Sequence, residues 1–258
     1  MSFLAKTAII LSCLVFAGAS CTGGRANTAV EQTPKPPENK PAPKPAPPPT
    51  LAEILDKKNT ETSGPLGKVD FGNFTYPSPR GWQDIDSKEA ELVNGSRHLT
   101  EEKVGLSLVA VKYGDATGDG EDEAFVILRV DTGGSAAPHI VYVFTEKAGE
   151  PEIIWYFRTG DRADGGLKRV FAEDGELVVE LFGQDRYIFN QMETLKIIED
   201  EPQLCCPTDF TRSIYKRTPS GFELSGDRLT FSLAKPSSPP EANLGDKKLE
   251  AEKSGKRK

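Results

Sequence analysis

Between residues 65 and 234 apolar positions alternate with polar ones at a period of two, or gather into short runs, with Gly, Asp, Asn and Pro between them. Alternation of that kind predicts strands with one face buried. They fall at Val69–Tyr76, Leu92–Leu99 (around a turn at Asn94-Gly95), Val104–Tyr113, Glu123–Val130, His139–Thr145 and Glu152–Arg158. Further strands are expected at Leu167–Ala172, Leu177–Phe182, Arg212–Arg217 and Leu229–Leu233. Turn chemistry separates them at Asp131–Gly134, Lys147–Glu150, Asp161–Gly166, Glu173–Gly175, Pro219–Gly221 and Ser225–Asp227. Connections this short join antiparallel neighbours. One short helix is expected at Asp84–Ala90, and no helical repeat alternates with the strands, which argues against a doubly wound α/β fold. The predicted fold class is mainly β, or β-rich α+β, with antiparallel sheets forming a sandwich or an open barrel.

Unbroken apolar runs, Phe125–Leu128 and Ile153–Phe157, read as central strands covered on both faces. Trp155, Phe157, Phe125, Val141, Val143, Leu177, Val179 and Leu181 are the expected core; lining a ligand pocket is the sharper alternative for the aromatic members.

The ends have other patterns. Lys6 precedes an apolar stretch, Thr7–Ala17, that is too short to span a bilayer, for which roughly 20 apolar residues are needed. Small residues, Gly18-Ala19-Ser20, then lead to Cys21, so residues 1–20 read as an export signal that is removed. The segment resembles the bacterial lipobox, with Gly18 where Leu is usual, and on that resemblance Cys21 carries the lipid. Ordinary secretion is the plainer alternative. Thr22 in place of Asp after the cysteine implies the outer membrane in a diderm cell. Stable anchoring takes two or more acyl chains at about 0.8 kcal/mol per buried CH₂, and lipoprotein modification, palmitate included, would supply them. Residues 21–64 read as a linker, with Pro-rich Glu31–Pro49 extended as polyproline II over roughly 60 Å at about 3.1 Å per residue. Residues 235–258 are Ser/Pro-rich and then charged, and are expected to form a disordered tail around the one globular domain, 65–234.

A net charge of −7 argues against nucleic acid and against anionic lipid headgroups as partners. The basic end Lys253–Lys258 is the exception and reads as a solvated tail. A monomer is expected.

Two local motifs carry candidate chemistry. In Asp115-Ala-Thr117-Gly-Asp119-Gly-Glu121-Asp-Glu123, oxygen-bearing side chains alternate around glycines. Calcium wants several hard oxygens brought to one point by such a turn, but Val126 stands where an EF-hand has its last Glu. The spacing resembles the β-loop-β calcium loops of integrin-type FG-GAP repeats. That resemblance implies side-chain ligation by Asp115, Thr117, Asp119 and Glu123, with the Glu121 carbonyl as a further ligand. An acidic hairpin turn, in which Gly118 and Gly120 take positive φ, is the open alternative. The vicinal pair Cys205-Cys206 before Pro207 is too closely spaced for ordinary disulfide geometry. A strained vicinal disulfide, two thiols and a redox switch stay open, and zinc would need more ligands than His98 and His139 offer. In Thr159–Leu167, Asp161 and Asp164 around Arg162 read either as paired acids or as a tight charged turn.

Several stretches together resemble uncharacterised bacterial envelope lipoproteins: Val69–Pro77, Tyr113–Gly120, Thr159–Leu167, and Cys205-Cys206-Pro207 with Arg212 and Tyr215. The cysteine and Asp-x-Thr-Gly-Asp-Gly motifs are also similar to LppP/LprE-type lipoproteins. The resemblance implies class and location and brings no activity. No serine-hydrolase elbow, Walker loop, zincin motif or dinucleotide fingerprint is present. The expectation is a non-enzymatic, lipid-anchored envelope module that binds a protein or cell-wall partner. A calcium-stabilised module and a hydrolase using the loop carboxylates are the alternatives.

Overall fold

Tight turns join most sequential neighbours in each sheet, whereas Leu177–Phe182 pairs with Phe210–Tyr215 from further along the chain. A computed structural model describes residues 56–78, 88–98, 100, 104–161, 165–190, 193–196 and 207–255, all within the unit Ala46–Lys258. The described strands are β1 (Thr75–Pro77), β2 (Glu89–Glu91), β3 (Ser96–Arg97), β4 (Gly105–Gly114), β5 (Glu123–Asp131), β6 (His139–Lys147) and β7 (Glu150–Arg158). They continue with β8 (Leu167–Glu173), β9 (Glu176–Phe182), β10 (Arg186–Asn190), β11 (Glu193–Lys196), β12 (Asp209–Thr218), β13 (Gly221–Ser232) and β14 (Glu241–Ala242), before helix α1 (Leu244–Gly255). Two five-stranded antiparallel sheets result, in the orders β3-β4-β5-β6-β7 and β14-β13-β12-β9-β8. Two small pairs, β1-β2 and β10-β11, accompany them. The sheets pack face to face and do not close into a barrel.

Two-residue hairpins set the register. Asn94-Gly95 (φ 51° and 75°) and Asp174-Gly175 (φ 53° and 77°) supply the paired positive φ that matches strand twist. Across the first sheet, Phe125 faces Val143 and Val143 faces Trp155. These side chains meet Leu177, Val179, Leu181, Tyr215 and Phe222 of the second sheet in one cluster that contains every residue expected as core. Trp155 is its hub, with ring centroids 5.0 Å from Phe157, 5.3 Å from Phe222 and 5.5 Å from Tyr215.

The other face of the first sheet is covered too. Ala124, Val126, Leu128, Ile140, Tyr142 and Phe144 pack beneath Leu66, Phe71, Tyr76 and Leu92 of the preceding segment. Tyr76 donates to the Phe71 carbonyl at 2.6 Å and Tyr142 to the Pro77 carbonyl at 2.6 Å, which ties that segment down. Burial on both faces explains why β5 and β6 are apolar without alternation.

Several expectations need correction. Ile153–Phe157 lies in β7, an edge strand, not a central one. Its run is apolar because both faces are covered, and a register shift opposite Val143/Phe144 puts the consecutive Ile154 and Trp155 against the same cluster. Only the end of Val69–Tyr76 is strand; Pro65–Lys68 is a 3-10 turn that buries Leu66. Glu89–Glu91 pairs with β1 where a short helix was expected, and residues 84–87 lie outside the described residues. Ser225–Asp227 is not a turn between strands but an irregularity inside β13 opposite Arg212/Ile214. Described contacts also lie outside residues 65–234 at both ends. Tyr113 N–H donates to the Asn59 carbonyl at 2.8 Å, and β14 pairs with β13 within the expected tail. In α1 only the first turn, Leu244 and Gly245, is buried. Among the described residues no helix is long and apolar enough to cross a membrane.

Candidate functional site

The Asp115 loop joins β4 to β5, and its carboxylates serve its own backbone. Gly118 N–H donates to Asp115 Oδ1 at 2.6 Å and Gly120 N–H to Asp115 Oδ2 at 3.0 Å. Glu121 N–H donates to Asp119 Oδ1 at 3.0 Å. Gly118 and Gly120 take φ of 77° and 90°, as the hairpin-turn reading requires. Gly118 is pressed against the β8-β9 turn: a Cβ on Gly175 would come within 2.9 Å of the Gly118 Cα. Two acidic turns, one from each sheet, therefore abut.

Glu123, the first residue of β5, is fully buried beneath this loop. Its Oε2 accepts from Ala116 N–H at 2.8 Å and Thr117 N–H at 3.2 Å, and its Oε1 accepts from the Thr145 hydroxyl at 3.3 Å. Burial, with the Asp119 and Asp115 charges adding to it, pushes the carboxyl up to about 7 against the lowering effect of those hydrogen bonds. Asp115, Thr117, Asp119, Glu121 and Glu123 are thus neighbours along one loop. Among the described residues no group of three or more His, Cys, Asp and Glu side chains is placed to hold a metal ion.

The other sequence candidates are dispersed or undescribed. Cys21, Cys205, Cys206, Arg162 and Asp164 lie outside the described residues. Asp161 follows the bridge that links Gly160 to Gly166. His139 sits on β6, where burial and then the Arg129 charge lower its imidazole to about 4.

Three charge clusters escaped the sequence reading. On the face of the second sheet turned away from the first, Lys168 Nζ lies 2.6 Å from Glu180 Oε2 and Arg212 Nη2 2.6 Å from Glu180 Oε1. Lys168 also stands 4.1 Å over the Phe210 ring, and burial presses its ammonium below the usual range despite the Glu180 carboxylate. Glu180, a lone acid inside Leu177–Phe182, was the available signal, since a buried charge needs a partner. The second cluster docks α1. Arg228 bonds both Asp185 oxygens at 2.7 and 3.1 Å and reaches Asp246 at 2.9 Å. Gly245 N–H donates to Asp185 Oδ2 at 2.7 Å.

The third lies where the edges of β4 and β8 meet. Lys112, 5% exposed in β4, donates to Asp56 Oδ1 at 2.7 Å, to the Lys58 carbonyl at 2.9 Å and to the Asp56 carbonyl. From the second sheet, Arg169 Nε approaches Asp56 Oδ2 at 3.6 Å. Burial acts to raise the Asp56 carboxyl, but the Lys112 hydrogen bond, the Lys58 N–H and both cations hold it below the ordinary carboxylate range. Around this contact is a narrow cleft, partly open to solvent and lined by Ile127, Val170 and Phe171. No protein-family model, curated protein or solved structure matches this chain.

Proposed function

We propose that this protein is a lipid-anchored module of the bacterial cell envelope, carried outside the cytosol on a Pro-rich stalk, and that it binds a protein or cell-wall partner without chemistry of its own. The observation that carries the reading is the order Thr7–Ala17, Gly18-Ala19-Ser20-Cys21 and Glu31–Pro49: an export signal, an acylation site and a spacer ahead of a folded β domain. The state of the buried acids supports a binding role over hydrolysis. Glu123 is occupied by loop N–H groups, Glu180 by Lys168 and Arg212, and Asp185 by Arg228 and Gly245. Each holds the fold together at a site sealed from solvent, whereas a general acid or base must reach a substrate proton.

The test is metabolic labelling with a fatty-acid analogue in a bacterial host. The full chain is expected to take up label and partition with membranes, and Cys21→Ala to lose both. Label retained by Cys21→Ala, or unprocessed chain in the cytosol, would overturn the reading.

A further inference from the structure

We propose that the cleft between β4 and β8 is a binding site for a small organic carboxylate, held shut by the chain's own Asp56 acting as an internal occupant. Two cations from different sheets, Lys112 and Arg169, converge on one carboxylate over an apolar floor. The Arg169 guanidinium lies 4.4 Å over the Phe171 ring, which orients its planar fork along the cleft wall. Cations at one end of an apolar slot are the recognition chemistry for a carboxylate on a flat hydrophobic body.

The present occupant fits poorly. Asp56 Oδ2 is buried without a hydrogen-bond partner, and its 3.6 Å separation from Arg169 Nε is beyond hydrogen-bond reach. Backbone connection holds that oxygen where it is, whereas a carboxylate arriving from solvent is free to satisfy both cations.

The occupant is held by polar contacts. Residues 57–61 are exposed. What binds residues 56–62 is polar: the Lys112 bonds, Tyr113 N–H to the Asn59 carbonyl, and the Thr62 hydroxyl on Asp122 at 2.6 Å. Among the described residues the first side chain sunk in the core is Leu66. Residues 56–62 therefore form a strap that can lift while the sandwich stays intact. The site belongs to the folded domain and stands whether or not Cys21 is acylated.

The experiment titrates the full chain with benzoate, and with benzamide as its uncharged counterpart, following binding by calorimetry and strap protection by hydrogen exchange. Asp56→Ala is expected to bind benzoate at least about tenfold more tightly than the unaltered protein, because a strap open a tenth of the time or less lowers apparent affinity by that factor. In the unaltered protein, benzoate should speed exchange at Lys58 and Tyr113, whose N–H groups donate to Asp56 Oδ1 and the Asn59 carbonyl; benzamide should neither bind nor speed it. Adding Lys112→Met to Asp56→Ala should abolish binding. Where Asp56→Ala melts early, Asp56→Asn preserves the strap's shape while removing its charge, and carries the same expectations. Equal benzoate affinity with and without the Asp56 carboxylate, benzamide binding as tight as benzoate, or binding unaffected by Lys112→Met would each overturn the proposal.

Discussion

Replacing Glu123 with Gln keeps the shape of the buried side chain and removes the charge that the fold has to tolerate. In the native domain this carboxyl titrates at about 7, against an ordinary value of 4.5. Below pH 4.5 it is neutral in both folded and unfolded chains. Between 4.5 and 7 the unfolded chain has given up the proton while the folded one keeps it, so stability falls as pH rises. Above 7 the full penalty is present, roughly 3 kcal/mol from the displacement of the titration, or about 6–12 °C in melting temperature for a domain of this size. His139 works in the opposite sense. Its imidazole is lowered from 6.5 to about 4, so its contribution is complete above pH 6.5 and is lost as pH falls towards 4. The two limbs overlap, and the raw pH profile of the native protein would conceal both. Subtracting one urea-unfolding series from the other, Glu123→Gln minus native at each pH from 4.5 to 8, removes His139 and isolates Glu123. The variant is expected to gain about 3 kcal/mol on the native protein across that range. A flat difference would mean that the Ala116 and Thr117 N–H groups compensate fully for burial. A difference of opposite sign that vanishes with chelator would assign the loop to calcium.

Trp155→Ala should cost about 3–5 kcal/mol in urea unfolding, because the ring touches Phe157, Tyr215 and Phe222 where the two sheets meet; a loss under 1 kcal/mol would show that the sheets do not share this core. Asp185→Asn should destabilise by about 3–5 kcal/mol, since it leaves the buried Arg228 guanidinium with Asp246 as its one charged partner among the described residues. Hydrogen exchange should then accelerate first at Leu244–Lys248, and unchanged protection there would separate α1 from the Asp185 contact.

Strands β4 to β9 were legible in the sequence to within a residue or two, as were the turns at Asn94-Gly95 and Asp174-Gly175 and the side chains between the sheets. Such features depend on nearest neighbours: alternation decides which face a residue joins, and an Asn-Gly or Asp-Gly pair decides where the chain reverses. The loop at Asp115 was legible as a motif, and its glycines adopt the expected conformation. Not legible was that Glu123 would be sealed beneath that loop, because its burial comes from residues packed over the start of β5. Runs of apolar residues misled in one place: Ile153–Phe157 looked central, but it lies at an edge and is apolar because both of its faces are covered.

By itself, then, the sequence determined a β-rich domain with its inner face and hairpins in place, because each follows from a few consecutive residues. Tertiary structure alone decided which strands lie at the edges, that Glu180 and Asp185 acquire cations from distant strands, and that Asp56 is gripped by Lys112 and approached by Arg169 from opposite sheets. A charge in a strand needs a partner, but the partner is found only when strands distant in sequence come together. Local pattern specifies the faces, and long-range packing specifies what meets across them.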